Sequence, residues 1–126
     1  MAFEVIQGKG VPISNLPFSP ATKAGGFVFV SGQASVDETG KIVGDTFENE
    51  FRRSIENVKN VLAGAGLTLA DVVQVKSYVR EASDVAEYNK LYREYFSEPL
   101  PARSTIVNCL PEIIKFEIDV IAYAGD

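Results

Sequence analysis

Histidine and tryptophan are missing from the 126 residues, and cysteine and methionine occur once each. Without histidine the commonest general base, the usual catalytic zinc ligand and any Ser-His-Asp arrangement are excluded. Cys109 has no second cysteine to pair with, so there is neither an internal disulfide nor a thiolate cage for a metal. Long apolar runs are lacking too: the longest, at 27–30 and 120–124, fall far below the roughly 20 residues that cross a bilayer. No charged-then-apolar leader opens the chain at Met1-Ala2-Phe3-Glu4. With the lone cysteine this gives the expectation of a cytoplasmic protein. Positive charge is scarce, 12 lysines and arginines against 17 acidic residues, for a formal net charge of -5. No basic stretch interleaved with aromatics offers a groove for phosphates, so neither nucleic acid nor a membrane is an expected partner. What remains for chemistry is carboxylate, arginine, hydroxyl, backbone and water, with no cofactor and no metal site expected beyond weak capture of a hard cation by carboxylates.

No repeat, low-complexity tract or Pro/Gly/Ser linker divides the chain, which reads as one domain over 1–126. Residues 3–6 read as a short first strand. Residues 12–20, with three prolines, read as irregular because proline cannot donate to a ladder. Gly25-Gly26 turns the chain into a strand at 27–31, rich in aromatic and β-branched residues, and Asp37-Glu38-Thr39-Gly40 turns it back toward Ile42-Val43. From Asp45 the period changes. Phe47, Phe51, Ile55, Val58 and Leu62 recur at three- and four-residue steps, with Glu48, Glu50, Arg52, Arg53, Glu56 and Lys59 on the other face. That is an amphipathic helix, with Asp45 and Glu48 as an expected capping box and Gly64-Ala65-Gly66-Leu67 as its stop. A phosphate-loop reading of those glycines fails, since no strand precedes them and no helix opens on them.

Residues 72–80 read as a strand and 84–97 as a second helix with Val85, Tyr88, Leu91, Tyr92, Tyr95 and Phe96 on one apolar face. Glu98-Pro99-Leu100-Pro101 ends it, and strands follow at 103–107 and 116–123. The order β, ββ, α, β, α, ββ predicts an α+β fold, a mixed sheet with both helices on one face. Strand alternation places Phe116, Ile118, Val120 and Ala122 on one side and Glu117, Asp119, Ile121 and Tyr123 on the other. Helices on one face only would leave Ile121 and Tyr123 wet in a monomer, so association of sheets is expected.

Arg103 stands where Pro101 stiffens the start of a strand. A guanidinium held so can grip a carboxylate through two parallel hydrogen bonds, or it can simply pair with a surface acid. Glu117 is either paired, with Lys115 or Arg103 at hand, protonated, or used as a base. Ser31 lacks both a histidine to activate it and the Gly-x-Ser-x-Gly elbow, which argues against a nucleophile. Asn89 lies within the second helix, where capping or solvent exposure is the ordinary role. Cys109 reads as inert packing.

Together these residues resemble the reactive intermediate deaminase family, also called Rid or YjgF. The likeness runs through Val30-Ser31-Gly32-Gln33, Asn57-Val58-Lys59, Ala65-Gly66-Leu67, Asn89 with Tyr92 and Phe96, Pro101-Ala102-Arg103-Ser104 and Lys115-Phe116-Glu117-Ile118-Asp119. The resemblance implies a chorismate-mutase-like fold and a homotrimer whose sheets form a central barrel, with sites between subunits. It also implies a hydrolytic deaminase of small enamines and imines of the 2-aminoacrylate and 2-iminopropionate type, giving a 2-oxo acid and ammonia. Arg103 would hold the substrate carboxylate and Glu117 would position the attacking water, while Ser31, Gly32 and Asn89 line the cleft. Two positions depart from the pattern: Phe18 stands for the family tyrosine and Thr105 for the family cysteine. Phe18 cannot donate a phenolic hydrogen bond. The alternatives are a non-catalytic, carboxylate-binding or chaperone-like trimer and a ribonuclease, the latter disfavoured by the missing histidine and the negative charge.

Overall fold

The structure is a computed structural model and describes residues 3–125. Strands β1 (Glu4–Val5), β2 (Ala21–Ala24), β3 (Phe27–Ala34), β4 (Val72–Val79), β5 (Ala102–Val107) and β6 (Phe116–Tyr123) form one sheet in the order β1-β2-β3-β6-β4-β5. All neighbours run antiparallel except β4 and β5. That parallel pair needs a crossover, which helix α2 (Val85–Tyr95) supplies. Helix α1 (Phe47–Gly64) joins β3 to β4 and packs on β3, β6 and α2. The architecture is the expected mixed α+β sheet with both helices on one face.

Four local readings change. Ala21–Ala24 is a strand, paired to β3 through a two-residue hairpin in which Gly25 and Gly26 both take positive φ, 58° and 91°. That turn matches the twist of the flanking strands and is open to glycine at little cost. The return at Ile42 is a single bridge to Val36 rather than a strand. The second helix stops at Tyr95, two residues early, and Phe96 is already extended. Thr46, not Asp45, caps α1: its side chain accepts from the Asn49 amide at 3.2 Å, while Glu48 pairs with Arg52. At the other end the Leu67 amide donates to the Leu62 carbonyl and Gly66 to Ala63, a Schellman closure.

The core lies between the helices and the inner sheet face. Phe51, Ile55 and Val58 from α1 and Tyr88 from α2 meet Val28, Val75, Phe116 and Ile118 from the strands, all fully buried. Phe51, Tyr88 and Phe116 form an aromatic triangle with centroids 4.9 to 6.0 Å apart. Such pairs add to their area burial through edge and tilted contacts. The opposite sheet face has no helix, and Phe27, Phe29, Ile106 and Tyr123 are exposed on it. No helix of the described residues is long and apolar enough to cross a membrane.

Among the described residues one charge sits inside. Glu50, 1% exposed, accepts from the Asp45 amide at 3.1 Å, the Lys115 amide at 3.0 Å and Lys115 Nζ at 3.3 Å. It ties the first turn of α1 to the start of β6, and the periodicity that put it on the polar face missed this. A buried carboxylate so satisfied is destabilising to break, because its donors lose their acceptor. Glu50→Ala is expected to lower stability by about 2–4 kcal/mol, read as a fall in the urea midpoint at unchanged slope.

Candidate functional site

The strand that carries Ser31 and Gly32 is bulged. Val30 pairs with Val120 and Gln33 with Ile118, so three steps on β3 face two on β6. A bulge of this kind re-aims side chains beside a sheet. The Ser31 amide donates to the Pro20 carbonyl at 2.9 Å and its hydroxyl to the Ser19 carbonyl at 2.6 Å. These bonds tie the proline-rich segment, and Phe18 with it, to the bulge. From α1 the buried Asn57 donates to the Ala34 and Val36 carbonyls at 3.2 and 3.0 Å, holding the strand beyond it.

The result is a cleft of about 870 Å³ lined by Phe18, Ser31, Gly32 and Glu117 together with apolar side chains such as Leu16, Ile42 and Ile114. The Glu117 carboxylate lies directly over Gly32, so close that any Cβ there would collide with Oε2. Half-buried, Glu117 is pushed above the ordinary glutamate value, first by desolvation and then by the charge of Asp119. Asp119 is itself held by the Tyr78 hydroxyl at 2.8 Å, a bond that pushes the phenol up to about 12 and keeps it a donor. Among the described residues Glu117 has no hydrogen-bond or ion-pair partner. Lys115, the nearest cation in sequence, is turned to Glu50.

Arg103 is elsewhere. It pairs in register with Val75, whose side chain is in the core, and Thr105 pairs with Ser77 on the same side. Glu117 pairs with Tyr78, three residues along β4 and therefore on the opposite face. Two strand spacings and three residues of rise put roughly 14 Å between the two backbones. Arg103 has no carboxylate partner among the described residues. Its guanidinium carbon sits 4.9 Å from the Tyr88 ring centroid and 4.8 Å from that of Tyr92. Asn89 is half-buried on the same helix, its Oδ1 buried without a partner in the described structure.

The seven residues singled out from sequence therefore fall into two groups. Phe18, Ser31, Gly32 and Glu117 share the cleft, whereas Arg103, Thr105 and Asn89 belong to the edge formed by β5 and α2. Neither ordinary pairing is present: Arg103 meets no surface acid, and Glu117 meets neither Lys115 nor Arg103. Sequence reasoning missed the tyrosines under Arg103, which it took for core, and Tyr78 as the brace of Asp119. Spacing four apart on one helix was the available signal for the tyrosine pair.

Over residues 10–124 the chain matches the family described as Endoribonuclease L-PSP. A RutC family protein of Pyrococcus abyssi is 43% identical, over 98% of either chain. The chloroplastic Reactive Intermediate Deaminase A of Arabidopsis thaliana is 35% identical over 94% of this chain and 65% of its own. The crystal structure of Escherichia coli TdcF with bound serine superposes with a TM-score of 0.85 at 31% identity, covering 97% of this chain and 99% of that one.

Glycine 32 separates stability from site geometry. Its φ is not in the left-handed region, and the obstacle to a Cβ is the far end of one flexible side chain. Gly32→Ala is expected to change folding stability by less than about 1 kcal/mol while driving the Glu117 carboxylate off its seat. Carboxyl titration by NMR should then show the raised Glu117 pKa move back toward 4.5; an unchanged titration would mean that Gly32 does not set the position of Glu117.

Proposed function

The chain belongs to the endoribonuclease L-PSP family, the group of Rid and YjgF proteins, and on that premise we propose that it hydrolyses small 2-imino acids, and the enamines that tautomerise to them, to a 2-oxo acid and ammonia. The observation that carries this reading is the pair of unpartnered opposite charges, Arg103 and Glu117. Glu117 is half-buried in the cleft with its pKa raised by desolvation and the charge of Asp119, the kind of perturbation that clusters at functional sites. Arg103 grips the carboxylate through its two-donor fork. Glu117 takes a proton from the water that attacks the imine carbon, giving a carbinolamine. That proton passes to the nitrogen to complete the carbinolamine; Glu117 then takes the hydroxyl proton and delivers it to the nitrogen, so that the C–N bond breaks, ammonia leaves as the carbonyl forms, and Glu117 is ionised again. Family relatives carry the name reactive intermediate deaminase, and serine, the ligand bound to TdcF, has the carboxylate and nitrogen of such substrates.

The same two residues argue for assembly. A three- or four-carbon acid cannot bridge side chains on opposite faces of one sheet, so a working site takes Arg103, Thr105 and Asn89 from one copy and Glu117, Ser31, Gly32 and Phe18 from another. A homotrimer with its open sheet faces turned inward meets that need and covers Phe27, Phe29 and Tyr123. The cleft walls around Phe18 offer apolar surface but no phenolic donor, which suits substrates with hydrocarbon side chains. Binding without turnover is the second reading, because Arg103 alone would hold a 2-oxo acid. Cleavage of RNA is a poorer fit to a carboxylate in an apolar cleft on a chain of net charge -5.

Glu117→Gln keeps the size and removes the base. Imine hydrolysis, with the imine generated by a separate pyridoxal-phosphate dehydratase, should fall about 100- to 10,000-fold while pyruvate binding persists. In the parent, activity should be lost as pH falls through the Glu117 pKa, above the ordinary 4.5, since only the carboxylate can accept the proton. A parent that binds pyruvate but never accelerates oxo-acid release would favour the second reading.

Mixing tests the shared site directly. Arg103→Ala and Glu117→Gln proteins, each inactive, should recover activity when unfolded together and refolded as mixed trimers. Random assembly makes about one quarter of the sites whole. No recovery, despite mixed trimers on a native mass spectrum, would place both residues in one chain's site.

A further inference from the structure

We propose that Tyr88 and Tyr92 form a platform that positions the Arg103 guanidinium for a carboxylate, which makes them positioning residues of the site. The inference rests on the anchor role given to Arg103 above. The two tyrosines are four residues apart on α2 and so project from one side of the helix, their ring centroids 5.7 Å apart at 64°. Arg103 lies within 5 Å of both. A cation over two ring faces is held by their quadrupoles, and those faces use none of its N–H donors. A salt bridge would hold it equally well but would occupy the fork that a substrate needs. Rings therefore fix the charge and leave its hydrogen-bonding edge free.

The platform is anchored from below. The Tyr88 hydroxyl lies 2.5 Å from the Ser77 hydroxyl, fully buried, and its ring packs on Phe51 and Phe116. Tyr92 stacks on Phe96 at 4.4 Å and 22°. Ser77 is the register partner of Thr105, two residues from Arg103 on the same strand face, so one brace serves both the rings and the strand. The Tyr92 hydroxyl is buried without a partner among the described residues. Its ring rather than its hydroxyl makes the contact with Arg103, which identifies Tyr92→Phe as the conservative variant.

The test uses the parent, Tyr92→Phe and Tyr92→Met, methionine being chosen to fill the vacated volume. In the parent, NMR should show the Arg103 side-chain protons shifted upfield by the rings, a reading that needs no variant to fold and no activity. Pyruvate should bind Tyr92→Phe as it binds the parent and Tyr92→Met about five- to thirtyfold more weakly. Affinity for the neutral pyruvamide should hardly change, so selectivity for the carboxylate falls; a merely structural role would weaken both ligands alike. Absence of the ring shift in the parent, or a folded Tyr92→Met that binds and discriminates like the parent, overturns the proposal. The outcomes separate it from the deaminase reading. Lost pyruvate affinity in Tyr92→Met without turnover in the parent leaves the platform standing and removes the deaminase, whereas turnover that is equal in both removes the platform alone.

Discussion

Two helices cover one face of a six-stranded sheet, and nearly everything about this chain follows from the face left bare. Because side chains alternate along a strand, β6 must send Phe116, Ile118 and Val120 into the core and Glu117, Asp119 and Ile121 the other way. The same rule applied to β5 turns Arg103 and Thr105 toward the helices, and Ile106 toward the open side, where Phe27 and Phe29 also lie exposed. The sheet thus separates the two charged groups and leaves apolar side chains exposed on its bare face.

Charge is distributed unevenly for a physical reason. Glu50, nearly without solvent, is given two backbone amides and the Lys115 ammonium, because a buried carboxylate tolerates nothing less. Lys115 is thereby taken from Glu117, two residues away. Asp119 receives the Tyr78 hydroxyl, and Arg103 receives ring faces instead of an acid. The fold pairs its buried carboxylate and leaves Glu117, half-buried in the cleft, and Arg103, at the sheet edge, without a charged partner among the described residues.

Legibility in the sequence followed how local each signal was. The periodicity of Phe47, Phe51, Ile55 and Val58 specified α1, and alternation in 116–123 specified the faces of β6, because both depend only on neighbours along the chain. Ala21–Ala24 was illegible: with one β-branched residue it has little strand propensity of its own, and its pairing comes from the hairpin to β3. Glu50 looked solvent-facing since its partner is 65 residues away. The site split similarly. Arg103 and Glu117 could be singled out by type and place, whereas Gly32 came only from the family resemblance: the strand was expected to end at Ser31, and the bulge that carries β3 on to Ala34 depends on its pairing with β6. That Arg103 would rest on Tyr88 and Tyr92 required the β4–α2–β5 crossover, which no local pattern encodes.

Glu117 also shows how the site and the fold oppose one another. Its pKa is raised in the folded chain, so folding binds its proton more tightly than unfolding does. The stability contributed by the protonated form is fully present below the ordinary glutamate value near 4.5 and is lost as pH rises through the folded value. Above that pH the carboxylate is ionised in an apolar cleft with no partner among the described residues, the state in which it can accept a proton from water and in which it favours the fold least. A cation at Lys115 could have relieved this, but Lys115 is committed to Glu50. The raised proton affinity that would suit a general base therefore comes at the expense of the fold, which is held by a core of aromatic and aliphatic contacts.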